Sequence, residues 1–154
     1  MKLLSTIVVA GLLTITAANA QPAKSMKHAN KATELRQAIF QLMASNMGPM
    51  GAMAKGKIPV DADRVATNAL RLEQFSYMLN DYFKTDTRKF DVKTEALAKA
   101  WTDKATFEDK VNALTKASKN LQAAAKSGDE GKIKKAIGGV GKTCGGCHDV
   151  FKKD

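Results

Sequence analysis

Apolar residues recur at three- and four-residue intervals along four stretches of this chain, and no stretch alternates with period two. The first stretch runs from about Thr33 to Lys55 and sets Leu35, Ile39, Leu42, Met43 and Met47 on one stripe. Gly48-Pro49 falls inside it. Proline lacks a backbone donor and crowds the preceding turn, so a kink or break is expected there. "KGKIPVD" reads as a loop, and Asp61 as the N-cap of a second helix carrying Val65, Ala69, Leu72, Phe75, Leu79 and Phe83. Residues 84–100 are polar, with one short helical turn expected near Glu95. A third helix from about Asp103 to Lys126 turns Phe107, Val111, Leu114, Leu121 and Ala125 inward. Ser127-Gly128-Asp129 combines a stop with a start signal. The fourth helix, from about Asp129 to Lys152, places Ile133, Ile137, Val140, Cys144, Cys147, His148 and Phe151 on one side. Four amphipathic helices with mostly short connections predict an all-α, antiparallel up-down-up-down four-helix bundle.

The beginning of the chain changes the picture of where this bundle works. Lys2 precedes the apolar run "LLSTIVVAGLLTITA", which closes on Ala18-Asn19-Ala20. A charged start, an apolar middle and an A-x-A end are the parts of a secretory signal peptide. The run is short for a membrane span of about 20 residues. Residues 1–20 are therefore expected to be removed, leaving residues 21–154 as one exported domain without a membrane anchor. A net charge of +10 at pH 7 raises nucleic acid as a partner. An exported chain meets none, and the lysines are scattered singly, which suits a solvated surface that steers acidic partners.

The fourth helix is poorly composed for packing alone. It holds Gly131, Gly138, Gly139, Gly141, Gly145 and Gly146. Each glycine inside a helix costs about 0.5–1 kcal/mol relative to alanine. Glycine is useful where a body must approach the backbone closely, and the cysteines indicate which body. "KTCGGCHDVFKKD" uses both cysteines of the chain and one of its two histidines within five consecutive positions. Cys-x-x-Cys-His is the c-type haem attachment pattern. Cysteines three apart share a helical face, so Cys144 and Cys147 could form thioethers to one porphyrin edge while His148 ligates the iron. A redox disulfide would be expected beside a βαβ pattern, which is absent. A structural zinc site needs four ligands, and His28 in "SMKHAN" has no apolar pattern around it and reads as a surface residue.

A secreted four-helix chain with this motif on its last helix, rather than near its start, resembles the class II cytochromes c, and within them the cytochrome c′ family. The resemblance covers essentially all of residues 21–154 and rests on "LRQAIFQLMASNMGPM", "TEALAKAWTD" and "VGKTCGGCHDVFKK". The middle segment departs from the family in having Ala98 where proline is usual. The resemblance implies one covalent haem c per chain, with Arg36 and Gln37 as the pair that contacts the haem and its propionates. It implies further haem-edge contacts from Thr94 and Glu95. It also puts Lys152 at the basic position beside the proximal pocket, where a surface lysine with its ammonium in solvent fits equally well. A homodimer through the first two helices is implied as well, while the sequence itself leaves a monomer open.

The family divides by what covers the far face of the iron. Low-spin relatives of the c556 type place a methionine ligand at the position occupied here by Phe40, which has no lone pair to give. Met43, one turn on, is the rival ligand. With Phe40 and Met43 as distal-pocket packing, the expectation is a high-spin, five-coordinate haem in the periplasm. Such a site is expected to bind nitric oxide and carbon monoxide, with electron transfer to an unidentified periplasmic partner as a second capacity, and it lacks the acid–base group an enzyme would need. The alternative is a low-spin electron carrier with a first-helix methionine ligand.

Overall fold

The computed structural model describes residues 20–153, so the leader apart from Ala20, and Asp154, lie outside the described residues. Four long helices form the bundle: α1 (Met26–Ala54), α2 (Ala62–Tyr82), α4 (Lys104–Lys126) and α5 (Glu130–Phe151), with a single turn, α3 (Lys99–Thr102), between α2 and α4. The helices close a ring in which α1 packs on α2, α2 on α4, α4 on α5 and α5 back on α1. Among the described residues no helix is long and apolar enough to cross a membrane.

The cap expected at Asp61 and the start expected at Asp129 are present, and Asp103 caps as well. Asp61, Asp103 and Asp129 each accept a hydrogen bond from a backbone N–H of the first turn, on Arg64, Thr106 and Lys132. Gly128 takes φ +68°, the left-handed conformation that lets the chain leave α4 and enter α5 within three residues. The core is built from Ile39, Met43, Met50 and Met53 of α1, Val65, Leu72 and Leu79 of α2, Val111 and Leu121 of α4, and Ile133, Ile137 and Val140 of α5.

Several expectations are corrected. The first helix begins at Met26 rather than near Thr33, because Ser25 caps it by accepting from the His28 N–H. Its first turns bury only Ala29, Ala32 and Thr33, residues too small to register as an apolar stripe. Leu35 and Leu42 face solvent, so the buried stripe is displaced toward Ile39, Met43, Met50 and Met53. The helix also runs through Pro49 without breaking. The carbonyl that loses its donor belongs to Ser45, an exposed residue whose backbone can be met by water. Beside it the Asn68 carboxamide donates to Asn46 O at 3.1 Å and the Asn46 carboxamide to Leu42 O at 2.8 Å, tying α1 to α2. The short helical turn expected near Glu95 lies instead at Lys99–Thr102.

A feature with no sequence period is a two-residue parallel ladder, β1 (Gln21–Pro22) on β2 (Thr85–Asp86). It anchors the start of the described chain to the long connection after α2.

Candidate haem site

Cys144 and Cys147 lie on the last turns of α5, free, half-buried and at the fringe of the core. Burial pushes both thiols above their ordinary range, and for Cys147 the charge of Lys110 pulls the other way. His148 is exposed rather than turned inward with the cysteines, a correction to the expected single face. One turn further, Phe151 is buried and meets Phe107 edge to face at 5.3 Å, fixing the end of α5 to the start of α4.

The connection between β2 and α3 is held against this end of α5. The Leu97 N–H donates to Phe151 O at 2.9 Å and the Lys153 N–H to Glu95 O at 2.8 Å. The Lys152 ammonium lies 3.0 Å from the Glu95 carboxylate. From the other side the Gln37 carboxamide donates to Lys93 O at 3.0 Å, and Thr94 Oγ1 accepts from the Ala96 N–H. The structure therefore gathers Gln37, Thr94, Glu95 and Lys152 around one loop that bridges α1 and the end of α5. Lys152 points its charge at Glu95 in this arrangement.

Arg36 is placed differently from its neighbour. It is only 3% exposed, and its guanidinium donates to Thr33 Oγ1 and Thr87 Oγ1 at 3.0 Å, to Thr85 O at 3.2 Å and to Tyr82 O at 3.5 Å. Phe83 and Trp101 flank it, their ring centroids 5.3 and 5.1 Å from Cζ. Desolvation pulls its pKa down to about 10, with the charge of Asp86 opposing the shift. Among the described residues it makes no ion pair with a carboxylate. This cage was not visible in the sequence, because apart from Thr33 Arg36's hydrogen-bond partners lie 46–51 positions away and Trp101 falls at the edge of the stretch without a period.

On α1 the two candidate distal residues separate. Met43 is buried within the core stripe, whereas Phe40 is 40% exposed and turns its ring edge toward Phe83, 6.4 Å between centroids. Phe83 continues to Phe107 at 4.6 Å, so an aromatic row joins α1, the end of α2, α4 and the end of α5.

The donor set fits a c-type haem. Two thiols three residues apart and the adjacent imidazole share the last turns of one helix, and neither thiol is tied up in a disulfide. A Cβ built on Gly138, Gly139, Gly141 or Gly145 meets no protein atom within 4 Å. The contacts within the chain thus give no reason for these glycines, and a group seated beside α5 does.

Bundle and motif together define a four-helix c-type cytochrome. The cytochrome C′ family model matches residues 31–152. A cytochrome c′ from Rubrivivax gelatinosus is 39% identical over 122 residues, covering 79% of this chain and 94% of that one. The structure of cytochrome c′ from Shewanella frigidimarina superposes with a TM-score of 0.74 at 45% identity, covering 82% of this chain and 97% of that one. A nitric oxide complex of a variant cytochrome c′ from Alcaligenes xylosoxidans gives 0.73 at 33% identity, covering 82% and 96%. The chain belongs to the cytochrome c′ family. Its cofactor is covalently attached haem c, and Cys144 and Cys147 fit the attachment motif of that group.

Proposed function

We propose that this protein is exported, loses residues 1–20, and works in the periplasm as a binding protein for nitric oxide and carbon monoxide, with one-electron transfer as a second capacity. When bound, haem c supplies an iron that takes a small ligand and changes oxidation state. Cys144 and Cys147 would hold the porphyrin edge and His148 the iron, leaving the opposite side to α1. The observation that carries the reading is the division of α1. Met43 is committed to the core, and the residue beside it at the site's edge is Phe40, which has no atom able to ligate. A phenylalanine ring donates no hydrogen bond, so dioxygen gains little polar stabilisation while nitric oxide and carbon monoxide need less. The same side chains offer no acid–base group for peroxide cleavage, which favours a carrier over an enzyme.

Arg36 and Gln37 would serve the carboxylate edge of the group. Planar donors suit a carboxylate, and Arg36, whose guanidinium now donates to Thr33, Tyr82, Thr85 and Thr87, has no carboxylate partner among the described residues. Gln37, with Thr94 and Glu95, would shape the loop beside it. Lys152 would act there through its pair with Glu95. Dimerisation is supported by apolar side chains left facing solvent on the first two helices: Leu35 and Leu42 (49% exposed) on α1, Leu70 (48%) and Tyr77 (47%) on α2.

Absorption spectra of the purified protein test the reading. A high-spin ferrous spectrum that shifts on adding nitric oxide or carbon monoxide is expected. A low-spin ferrous spectrum, with a methionine-to-iron band in the ferric form, would show Met43 ligating and leave electron transfer alone. Sedimentation of wild type against Leu42→Glu, Leu70→Glu tests the dimer, which the two charges are expected to split.

A further inference from the structure

We propose that residues 95–97 brace the end of α5 and so fix the pose of the His148 imidazole, acting as positioning residues through the backbone of Phe151, Lys152 and Lys153. The inference deepens the reading of His148 as the iron ligand and rests on it. His148 stands in the last turn of α5, which ends at Phe151. Gly145 and Gly146 directly precede Cys147 and His148, and glycine weakens a helix interior. A last turn is also where a helix frays. The turn that carries the ligand is thus poorly held by its own ladder, while a ligating imidazole has to keep one orientation.

Bonds from outside the helix supply what the ladder lacks. The last ladder bond of α5 runs from the Lys152 N–H to His148 O at 3.0 Å, so the backbone of Lys152 sits directly on that of His148. Lys152 itself has left the helical conformation, with φ −115° and ψ 143°, and pairs with Ala96 in an antiparallel bridge. A bond on each side closes that bridge, the Leu97 N–H to Phe151 O at 2.9 Å and the Lys153 N–H to Glu95 O at 2.8 Å. The Lys152–Glu95 ion pair lies across it, but both side chains are exposed, and exposed pairs contribute little. The backbone bonds do the holding.

The brace has a footing of its own. Leu97 O receives the Ala100 N–H of α3 at 3.0 Å, and Lys93 O the Gln37 carboxamide of α1 at 3.0 Å. Moving the His148 turn therefore means breaking bonds to a segment that α1 and α3 keep in place.

The test uses the ferric holo protein with isotopically labelled histidine. It reads the hyperfine-shifted ring-proton signals of His148, which depend on the orientation of a ligating imidazole, together with amide deuterium exchange. In wild type the Leu97 and Lys153 amides are expected to be protected, and free exchange at both overturns the brace without any variant. Lys153→Pro removes the donor to Glu95 O at the end of the chain, and the extended Lys152 is the conformation a residue before proline prefers. Lys153→Ala keeps that donor and removes the same charge. The proline variant is expected to displace the His148 signals and to speed exchange at Leu97 and Lys152 several-fold, while the alanine variant matches wild type in both. Signals unmoved by proline, or moved equally by alanine, overturn the brace and leave His148 as the ligand. Absence of any hyperfine-shifted histidine signal overturns the ligand reading, and the brace with it.

Discussion

Phe40 shows how much one side chain decides. Its ring is 40% exposed and meets Phe83 in a T-shaped contact, so moving it aside costs less packing than moving a buried ring. Phe40→Ala is expected to cost well below the roughly 3–5 kcal/mol of a fully buried phenylalanine and to raise carbon monoxide affinity, read by titration of the ferrous protein. Phe40→Met is expected to turn the spectrum low-spin, because it offers a thioether from the position the ring now holds. An unchanged affinity in the first variant would mean that the ring does not guard the site. The motif residues were legible because their chemistry is local: five adjacent positions carry the whole signal. The Arg36 cage was not, since each of its distant partners is an ordinary residue that acquires meaning only when α1, β2 and α3 meet.

The helices illustrate how far periodicity reaches. Their existence and the caps at Asp61 and Asp129 follow from the order of apolar and capping residues, whereas the start of α1 was hidden by alanines that bury without marking a stripe. Pro49 was misread for a physical reason: the carbonyl it strands faces water. An interior proline still costs a helix about 3 kcal/mol relative to alanine. Pro49→Ala is therefore expected to raise Tm, and a fall would show that the bundle needs the proline's geometry. The caps carry a pH signature. Asp103 is held below the ordinary carboxyl range chiefly by its bond to Thr106, and Asp129 by the Lys132 N–H. A carboxyl whose folded pKa is depressed contributes stability above its unfolded value, about 3.9, and loses it as pH falls through the folded value. Asp103→Asn with Asp129→Asn keeps a side chain equally suited to capping. Denaturant melts from pH 6 to 3 are expected to fall less steeply in that variant than in wild type.

At the scale of the whole molecule, the bundle's four-helix order was legible while what orders the loop around Thr94 and Glu95 was not. The connection from Thr87 to Ala98 has no period, and it is ordered by contacts from both ends: Gln37 on α1, Lys152 and Lys153 beyond α5. The loop beside the proposed haem site is thus ordered by segments far apart in sequence, and a Cβ on Gly138, Gly139, Gly141 or Gly145 of α5 would meet nothing within 4 Å. Cys144→Ala, Cys147→Ala protein made without haem is expected to keep helical far-UV dichroism and lose near-UV signal from its aromatic row. A sharp cooperative melt close to that of the holo protein would contradict this.

Three successive carbonyls of the β2 region, on Lys84, Thr85 and Asp86, receive the Gln21 N–H, the Arg36 guanidinium together with the Trp101 indole, and the Ala23 N–H. None of these donors belongs to a helical ladder, so none is protected by its own neighbours. Their protons are released to solvent by a single event, the lifting of β2. Deuterium uptake at Ala23 and at the Trp101 indole is accordingly expected to proceed at one shared rate, faster than the mid-helix amides of α4, with this segment opening as a unit beneath global unfolding.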